Sequence, residues 1–198
     1  MLTFYHSPGS SSMAVHIALH ETGAPFEAHA LSLQAKDTRT PGFLAINPNG
    51  RVPTLVIDGR VLTEVAGCLF YLARAYPAAN LLPAGNIEAE AQVVSWMSFL
   101  ASGVHTAGRQ GPEAVDEAFT VAERRLAGAK WTVGERYSIS DIHLFRLYWR
   151  FRPAYNLPTG KFPAVEDLYE RVLARPAVQE TIAAEQKAGY SLPTSRGP

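Results

Sequence analysis

The chain has 198 residues, 47% of them hydrophobic, and its 18 basic residues balance 18 acidic ones. That is enough apolar material for one sizeable core or two small ones without staples, and the neutral balance suggests neither nucleic acid nor an anionic membrane surface as a partner. The single cysteine, Cys68, excludes an intrachain disulfide, and no apolar run approaches the roughly 20 residues that span a bilayer.

The opening residues lack the basic stretch and long apolar core of a secretion signal, so a soluble cytoplasmic protein is expected. Residues 2–5 form a short apolar and aromatic run, closed by Ser7-Pro8-Gly9-Ser10, which predicts a strand and a turn. Met13, Ile17 and His20 then recur at helical spacing, with Ala14, Ala18 and Leu19 on the same broad face. Gly23 and Pro25 stop that helix. Residues 26–33 alternate as a second strand, and two parallel strands need such a crossover. Residues 34–40 read as a polar loop, 43–46 as a short apolar patch, and Asn47-Pro48-Asn49-Gly50 as a turn. Thr54–Ile57, Asp58-Gly59 and Arg60–Thr63 spell a β-hairpin. Residues 64–75 turn helical again, with Leu69, Leu72 and Ala73 on one stripe, and stop before Pro77.

The stretch PAANLLPAGN, at 77–86, is the best linker candidate, and strand signals nearly vanish beyond it. Residues 87–106 read as one long helix with Val93, Trp96, Met97 and Leu100 apolar, and 113–127 as a second begun by Pro112. Ser138, followed three residues on by Asp141, makes a capping box before the apolar 142–151. Helices over 165–174 and 177–187 complete the set, and the tail 191–198 reads as loosely ordered. The predicted architecture is α/β followed by all-α: a β-α-β then β-β-α module over 1–77, a linker over 78–86 and a helical domain over 87–198.

Three features of the first module carry chemistry. Arg51-Val52-Pro53 precedes a strand, where a proline fits badly because it cannot donate to a ladder. With a cis peptide before Pro53, the Val52 amide and carbonyl can face outward and pair with an extended peptide ligand; with a trans peptide this is an ordinary strand start. Glu64 stands at the entrance to a helix, where exposed amides favour carboxylates. It can receive an ammonium group while the neighbouring amides take an α-carboxylate, or it can serve only the helix dipole. Ser10-Ser11-Ser12 opens the first helix, with Tyr5 at the end of the first strand. A thiolate there would meet amide dipoles and hydroxyl donors that lower a thiol pKa from about 8.5 towards neutrality; a plain serine N-cap accounts for the same residues without a ligand. The six histidines show no ligand spacing with acids or a second cysteine, so no metal is expected.

The joint order is more specific than its parts. YHSPGSSS, then FLAINPNGRVPTLVIDGRVLTE, then a helix and a helical second half resembles the glutathione transferase superfamily, most closely its bacterial beta class. The likeness is strongest over 4–76 and covers the rest in outline, with Ser138–Asp141 similar to the capping motif of that family's C-terminal domain. It implies a thioredoxin-like N-terminal domain that binds glutathione, a C-terminal helical bundle, and a homodimer. By resemblance, the Val52 backbone, within Arg51-Val52-Pro53, pairs with the cysteinyl part of glutathione. Glu64 and the Val65 amide hold the γ-glutamyl end, and Lys36 reaches the glycyl carboxylate. Tyr5 falls on the first-strand tyrosine, and His105 on the beta-class histidine that faces the active site from the second domain.

Two residues depart from that pattern. The beta-class turn carries a cysteine where this chain has Ser11, so mixed-disulfide chemistry is not available there and Cys68 reads as a small core residue. Val65 stands where serine or glycine is common, which removes a hydroxyl contact. The implied reaction is attack of the glutathione thiolate on a small hydrophobic electrophile, the protein supplying positioning and thiolate stabilisation. Ser11 is the expected donor to the thiolate, Ser10 and Tyr5 are its rivals, and His105 is an auxiliary polar group. Trp96, Phe99 and Tyr148 are available to line the electrophile site, but core packing accounts better for most of them. The scaffold also carries isomerases and reductases, and fold does not settle function. A glutathione-binding protein without turnover stays open for the same reason, and the two departures lean that way.

Overall fold

The computed structural model describes residues 1–83 and 85–190; the tail 191–198, expected to be loosely ordered, lies outside them. The described residues divide into two compact units, Met1–Ala79 together with Ala177–Tyr190, and Asn80–Pro176.

In the first unit, β1 (Leu2–His6) buries Leu2, Phe4 and His6 on one face and leaves Thr3 and Tyr5 half-buried on the other, as the two-residue strand period requires. It pairs in parallel with β2 (Phe26–Ala30) and antiparallel with β3 (Thr54–Ile57), which pairs antiparallel with β4 (Arg60–Thr63). The sheet order is β2-β1-β3-β4. The β1–β2 crossover is α1 (Met13–Thr22), buried from Met13 to Leu19 and ended by Gly23 at φ 62°. β2 stops at Ala30, short of the expected 33. Asp58 and Gly59 both take positive φ, 48° and 82°, the geometry that matches a two-residue hairpin turn to strand twist.

The short apolar patch expected at 43–46 is the last part of a helix, α2 (Pro41–Ile46). Thr40 accepts the Phe43 N–H and Pro41 fills the first turn, so a cap and a pre-set φ define a helix too short to show periodicity. Phe43 meets Tyr5 edge to face, with ring centroids 5.6 Å apart. On the opposite face α3 (Val65–Ala75) packs beside α1 and buries Cys68, Leu69, Leu72 and Ala73.

The register brings four connections to one end of the sheet. Tyr5 lies opposite Thr54, and Thr54 opposite Thr63. The end of β1, the start of β3 and the end of β4 therefore coincide. β2 runs parallel to β1 with His6 beside Ala30, so it finishes there too. The Ser7–Ser12 turn, the 31–40 loop, Arg51-Val52-Pro53 and Glu64 all leave from this end.

In the second unit, the helix expected over 87–106 is α4 (Ile87–Phe99), a π turn over Leu100–Val104, and α5 (His105–Gln110). α6 (Pro112–Leu126) and α8 (Pro163–Leu173) each bury one stripe, whereas α7 (Ile139–Ala154) is buried continuously from Ile139 to Trp149. Such a helix forms the centre of its bundle. Its capping box is present. Asp141, itself buried, accepts the Ser138 N–H at 2.8 Å and the Thr132 N–H at 2.7 Å. Burial raises the Asp141 pKa and these bonds work against the rise. The stretch after Ala79 is packed, since Leu81 and Leu82 are buried and the Leu81 carbonyl accepts the Ile139 N–H at 3.0 Å.

α9 (Pro176–Lys187), which the sequence reading counted with the second half, groups with the first unit. Val178, Thr181 and Glu185 form its buried stripe, and Glu185 bonds to the Ser7–Ser12 turn and to α1. Among the described residues no helix is long and apolar enough to cross a membrane.

Candidate functional site

The three serines at the head of α1 have different surroundings. Ser12 is fully buried; its hydroxyl accepts the Ser7 N–H and donates to the Ser7 carbonyl, both at 3.1 Å, which closes the turn on itself. Ser10 is bound to Ser12, hydroxyl to hydroxyl at 2.7 Å, and its oxygen accepts the Ser12 N–H. Ser11 alone points across the sheet end: its hydroxyl donates to the Val52 carbonyl at 3.4 Å. Of the three, it is the one that meets the residue before Pro53.

The Val52–Pro53 peptide is cis. The bend is braced from behind by two buried residues. Asn47 Nδ2 donates to the Arg51 carbonyl and to Thr54 Oγ1, both at 2.9 Å, and Thr54 Oγ1 donates to the same carbonyl at 2.9 Å. Asn47 Oδ1 also accepts the Asn49 N–H at 3.0 Å. Gly50 completes the turn at φ 58°, where a Cβ would lie 2.7 Å from the Thr38 carbonyl oxygen. Asn47 and Thr54 were not singled out from the sequence, although a turn asparagine just ahead of a Val-Pro pair was a readable signal.

Glu64 adopts φ 66° and ψ 137°, a region that costs a non-glycine residue about 1–3 kcal/mol and clusters at functional sites. It is exposed and places no side-chain cap on α3. The first-turn amides from Val65 onward have no acceptor within the helix. An exposed carboxylate beside free helix-start amides can receive both charges of an amino-acid zwitterion.

The remaining predicted residues are placed as follows. Arg51 is exposed. Lys36 is exposed, in left-handed conformation at φ 62°, and begins the short 3₁₀ turn Asp37–Arg39. Tyr5 stacks on His29 with ring centroids 5.0 Å apart, on the α2 side of the sheet. His105 is half-buried at the start of α5, in the second unit. The fold thus brings Ser11 to Val52 in direct contact, and carries Glu64, Val65 and Lys36 on connections from the same sheet end. Cys68 is fully buried, and burial pushes its thiol up to about 12. Trp96 and Tyr148 are buried as core residues, and Phe99 is half-buried, with the Arg125 guanidinium over both Trp96 and Phe99.

The absence of ligand spacing among the histidines does not survive folding. His6 from β1, His16 from α1 and Glu185 from α9 are all buried and offer donor atoms within 4.8 Å of one another. His16 Nδ1 lies 3.1 Å from Glu185 Oε1, and Glu185 Oε2 accepts the Gly9 N–H at 2.6 Å. The His6 imidazole is pushed down to about 4, chiefly by burial and then by His16 and His29. No local pattern could announce this cluster, because Glu185 stands 176 residues from Gly9.

Comparison with known proteins matches residues 10–75 to the glutathione S-transferase N-terminal domain and 107–176 to the glutathione S-transferase C-terminal domain. The chain is 28% identical to glutathione S-transferase GstA of Escherichia coli O157:H7, over 93% of this chain and 98% of that one. It is 25% identical to a maleylacetoacetate isomerase of Pseudomonas aeruginosa, over 94% and 96%. Among solved structures it is similar to a sphingomonad glutathione S-transferase complexed with glutathione, at 32% identity and TM-score 0.83, covering 93% of this chain and 98% of that one.

Proposed function

The chain belongs to the glutathione S-transferase family, and on that premise we propose that it joins the thiolate of glutathione to small hydrophobic electrophiles. The observation that carries this reading is the contact between the Ser11 hydroxyl and the Val52 carbonyl at the cis Val52–Pro53 bend. A peptide paired with the Val52 backbone would lay its cysteinyl sulfur beside Ser11, whose hydroxyl would turn from the carbonyl to the thiolate. Glu64 and the first amides of α3 take the γ-glutamyl ammonium and carboxylate, and Lys36 and Arg51 supply positive charge for the glycyl end. Tyr5 is the weaker rival donor, since its ring is engaged by His29 and Phe43. Ser10 is weaker too, since its hydroxyl is held by Ser12. His105 is assigned an auxiliary polar role by resemblance.

The thiol proton leaves to solvent, the thiolate attacks the electrophilic carbon, a C–S bond forms and the leaving group departs with its electron pair. The protein contributes position and a hydrogen bond to the anion. The reading includes a cytoplasmic homodimer, as the family resemblance implies. The test is calorimetric titration with glutathione followed by turnover of 1-chloro-2,4-dinitrobenzene. Saturable binding with conjugation is expected; failure to bind glutathione overturns the reading. Tight binding without conjugation across an electrophile panel selects a non-catalytic binding protein, which Ser11 and Val65 favour. A second reading, isomerisation of a maleylacetoacetate-type substrate, rests on the likeness to the Pseudomonas isomerase. Turnover of that substrate without consumption of glutathione selects it.

A further inference from the structure

We propose that His6, His16 and Glu185 form a binding site for a divalent late first-row cation of the zinc type, which clamps α9 onto β1 and α1. The donor set is two imidazoles and one carboxylate, the combination that suits zinc and its neighbours and not the oxygen-seeking magnesium or calcium. Donors on a tetrahedral zinc, bound at about 2.0–2.1 Å, sit roughly 3.3 Å apart. Here His16 Nδ1 and His6 Nδ1 lie 3.1 and 3.9 Å from Glu185 Oε1, and the three residues offer atoms all within 4.8 Å. Closing that triangle on an ion shortens the His6–Glu185 separation by about 0.6 Å and its widest side by at most about 1.5 Å, within reach of side-chain rotation.

A second observation points the same way. His6 is 4% exposed, and its Nδ1 is buried with no hydrogen-bond partner among the described residues. An orphaned buried nitrogen is costly unless something satisfies it, and this one faces the carboxylate that His16 already touches. The surroundings hold the donors in place. The His6 ring stacks on Phe4 at 5.2 Å, and His16 meets Phe26 edge to face at 5.8 Å. The Gly9 N–H binds Glu185 Oε2, leaving Oε1 for the ion, as outer partners commonly orient ligating carboxylates. On binding, the His16 Nδ1 exchanges its hydrogen bond for a metal bond and carries its proton on the other ring nitrogen.

His20 and Glu180, 3.3 Å apart on the same two helices, are the nearest competing pair and are less buried. The experiment is titration of the metal-free full chain with Co²⁺, followed by its visible d–d absorption, and with Zn²⁺, followed by the thermal midpoint. One Co²⁺ per chain and a midpoint that rises with free Zn²⁺ are expected. His6→Phe keeps the stack on Phe4, and Glu185→Gln keeps an acceptor for Gly9; each should weaken Co²⁺ binding at least tenfold, while His20→Gln and His29→Ala leave it unchanged. In the unsubstituted chain, Co²⁺ should shift the His6 and His16 ring resonances before those of His20 and His29, a readout that needs no variant to fold. No Co²⁺ binding, undiminished binding in either folded variant, or the reverse order of shifts overturns the site.

Discussion

The ring of Tyr190 occupies the space a side chain on Gly9 would enter: a Cβ there would lie 1.8 Å from Tyr190 Cε2. Gly9 also sits at φ 71°, so an alanine meets both a backbone penalty of about 1–2 kcal/mol and an overpacking cost of about 1–3 kcal/mol. Gly9→Ala should lower stability in urea by the two together. Tyr190→Ala in the same chain should recover the packing part and leave the backbone part. Equal destabilisation of the single and double variants, measured against Tyr190→Ala alone, would show that the ring does not press on the turn.

Ser11→Ala tests the thiolate donor. A hydrogen bond to a charged group contributes about 1.5–3 kcal/mol, so kcat/KM for conjugation should fall roughly 10- to 100-fold. The half-point of the pH–rate profile should rise by about one unit, because each unit represents about 1.4 kcal/mol of preference for the thiolate. The KM for glutathione should change little, since the Val52 backbone, the first amides of α3, Glu64, Lys36 and Arg51 carry its binding. An unmoved pH profile would take Ser11 out of the role and return attention to Ser10 and Tyr5.

The parts that were legible in the sequence are those that local chemistry determines. Asp58-Gly59 specified the hairpin turn, Gly23 stopped α1, and Ser138 with Asp141 announced the start of α7, because each acts within four residues of itself. α2 escaped since its six residues, Pro41–Ile46, are too few to show a helical period. The π turn at Leu100–Val104 escaped because its apolar residues keep an unbroken helical look. Within the candidate site, the motif order singled out Ser11, Val52 and Glu64 as expectations, and the fold carries all three to one end of the sheet. The motif order marked Asn47 only as a turn residue, and carried no sign that Thr54 joins it in bracing the bend or that Glu185 reaches Gly9. These last are tertiary contacts between residue types that are common anywhere, and only the folded register brings them together.

Cys68 gives a direct check on core packing. It is fully buried, and burial holds its thiol near 12, so at pH 8 only roughly one molecule in ten thousand carries the thiolate that reacts. Ellman's reagent should find almost no thiol in the native chain and a single thiol in denaturant. Rapid labelling of the folded protein would mean that α3 opens from the sheet far more readily than its packing implies.

His143 makes stability depend on pH. Its imidazole is fully enclosed in α7 and is pushed down to about 3, by burial first and then by Arg146 and His105. In the unfolded chain it titrates near 6.5. Above that pH the ring is neutral in both states and adds no pH dependence. Between 6.5 and 3 only the unfolded chain takes up the proton, so stability falls by about 1.4 kcal/mol per pH unit, and the loss levels off below 3. Nδ1 of His143 is buried with no hydrogen-bond partner among the described residues, so His143→Leu removes an unmet polar group and keeps the packing. The variant should match or exceed the parent at pH 7. From pH 6.5 to 4.5 it should lose about 2–3 kcal/mol less than the parent does. His6, lowered to about 4, acts in the same sense and is common to both chains, so it cancels in the difference. Urea unfolding of both chains at half-unit pH steps measures that difference, and parallel curves would refute the assignment.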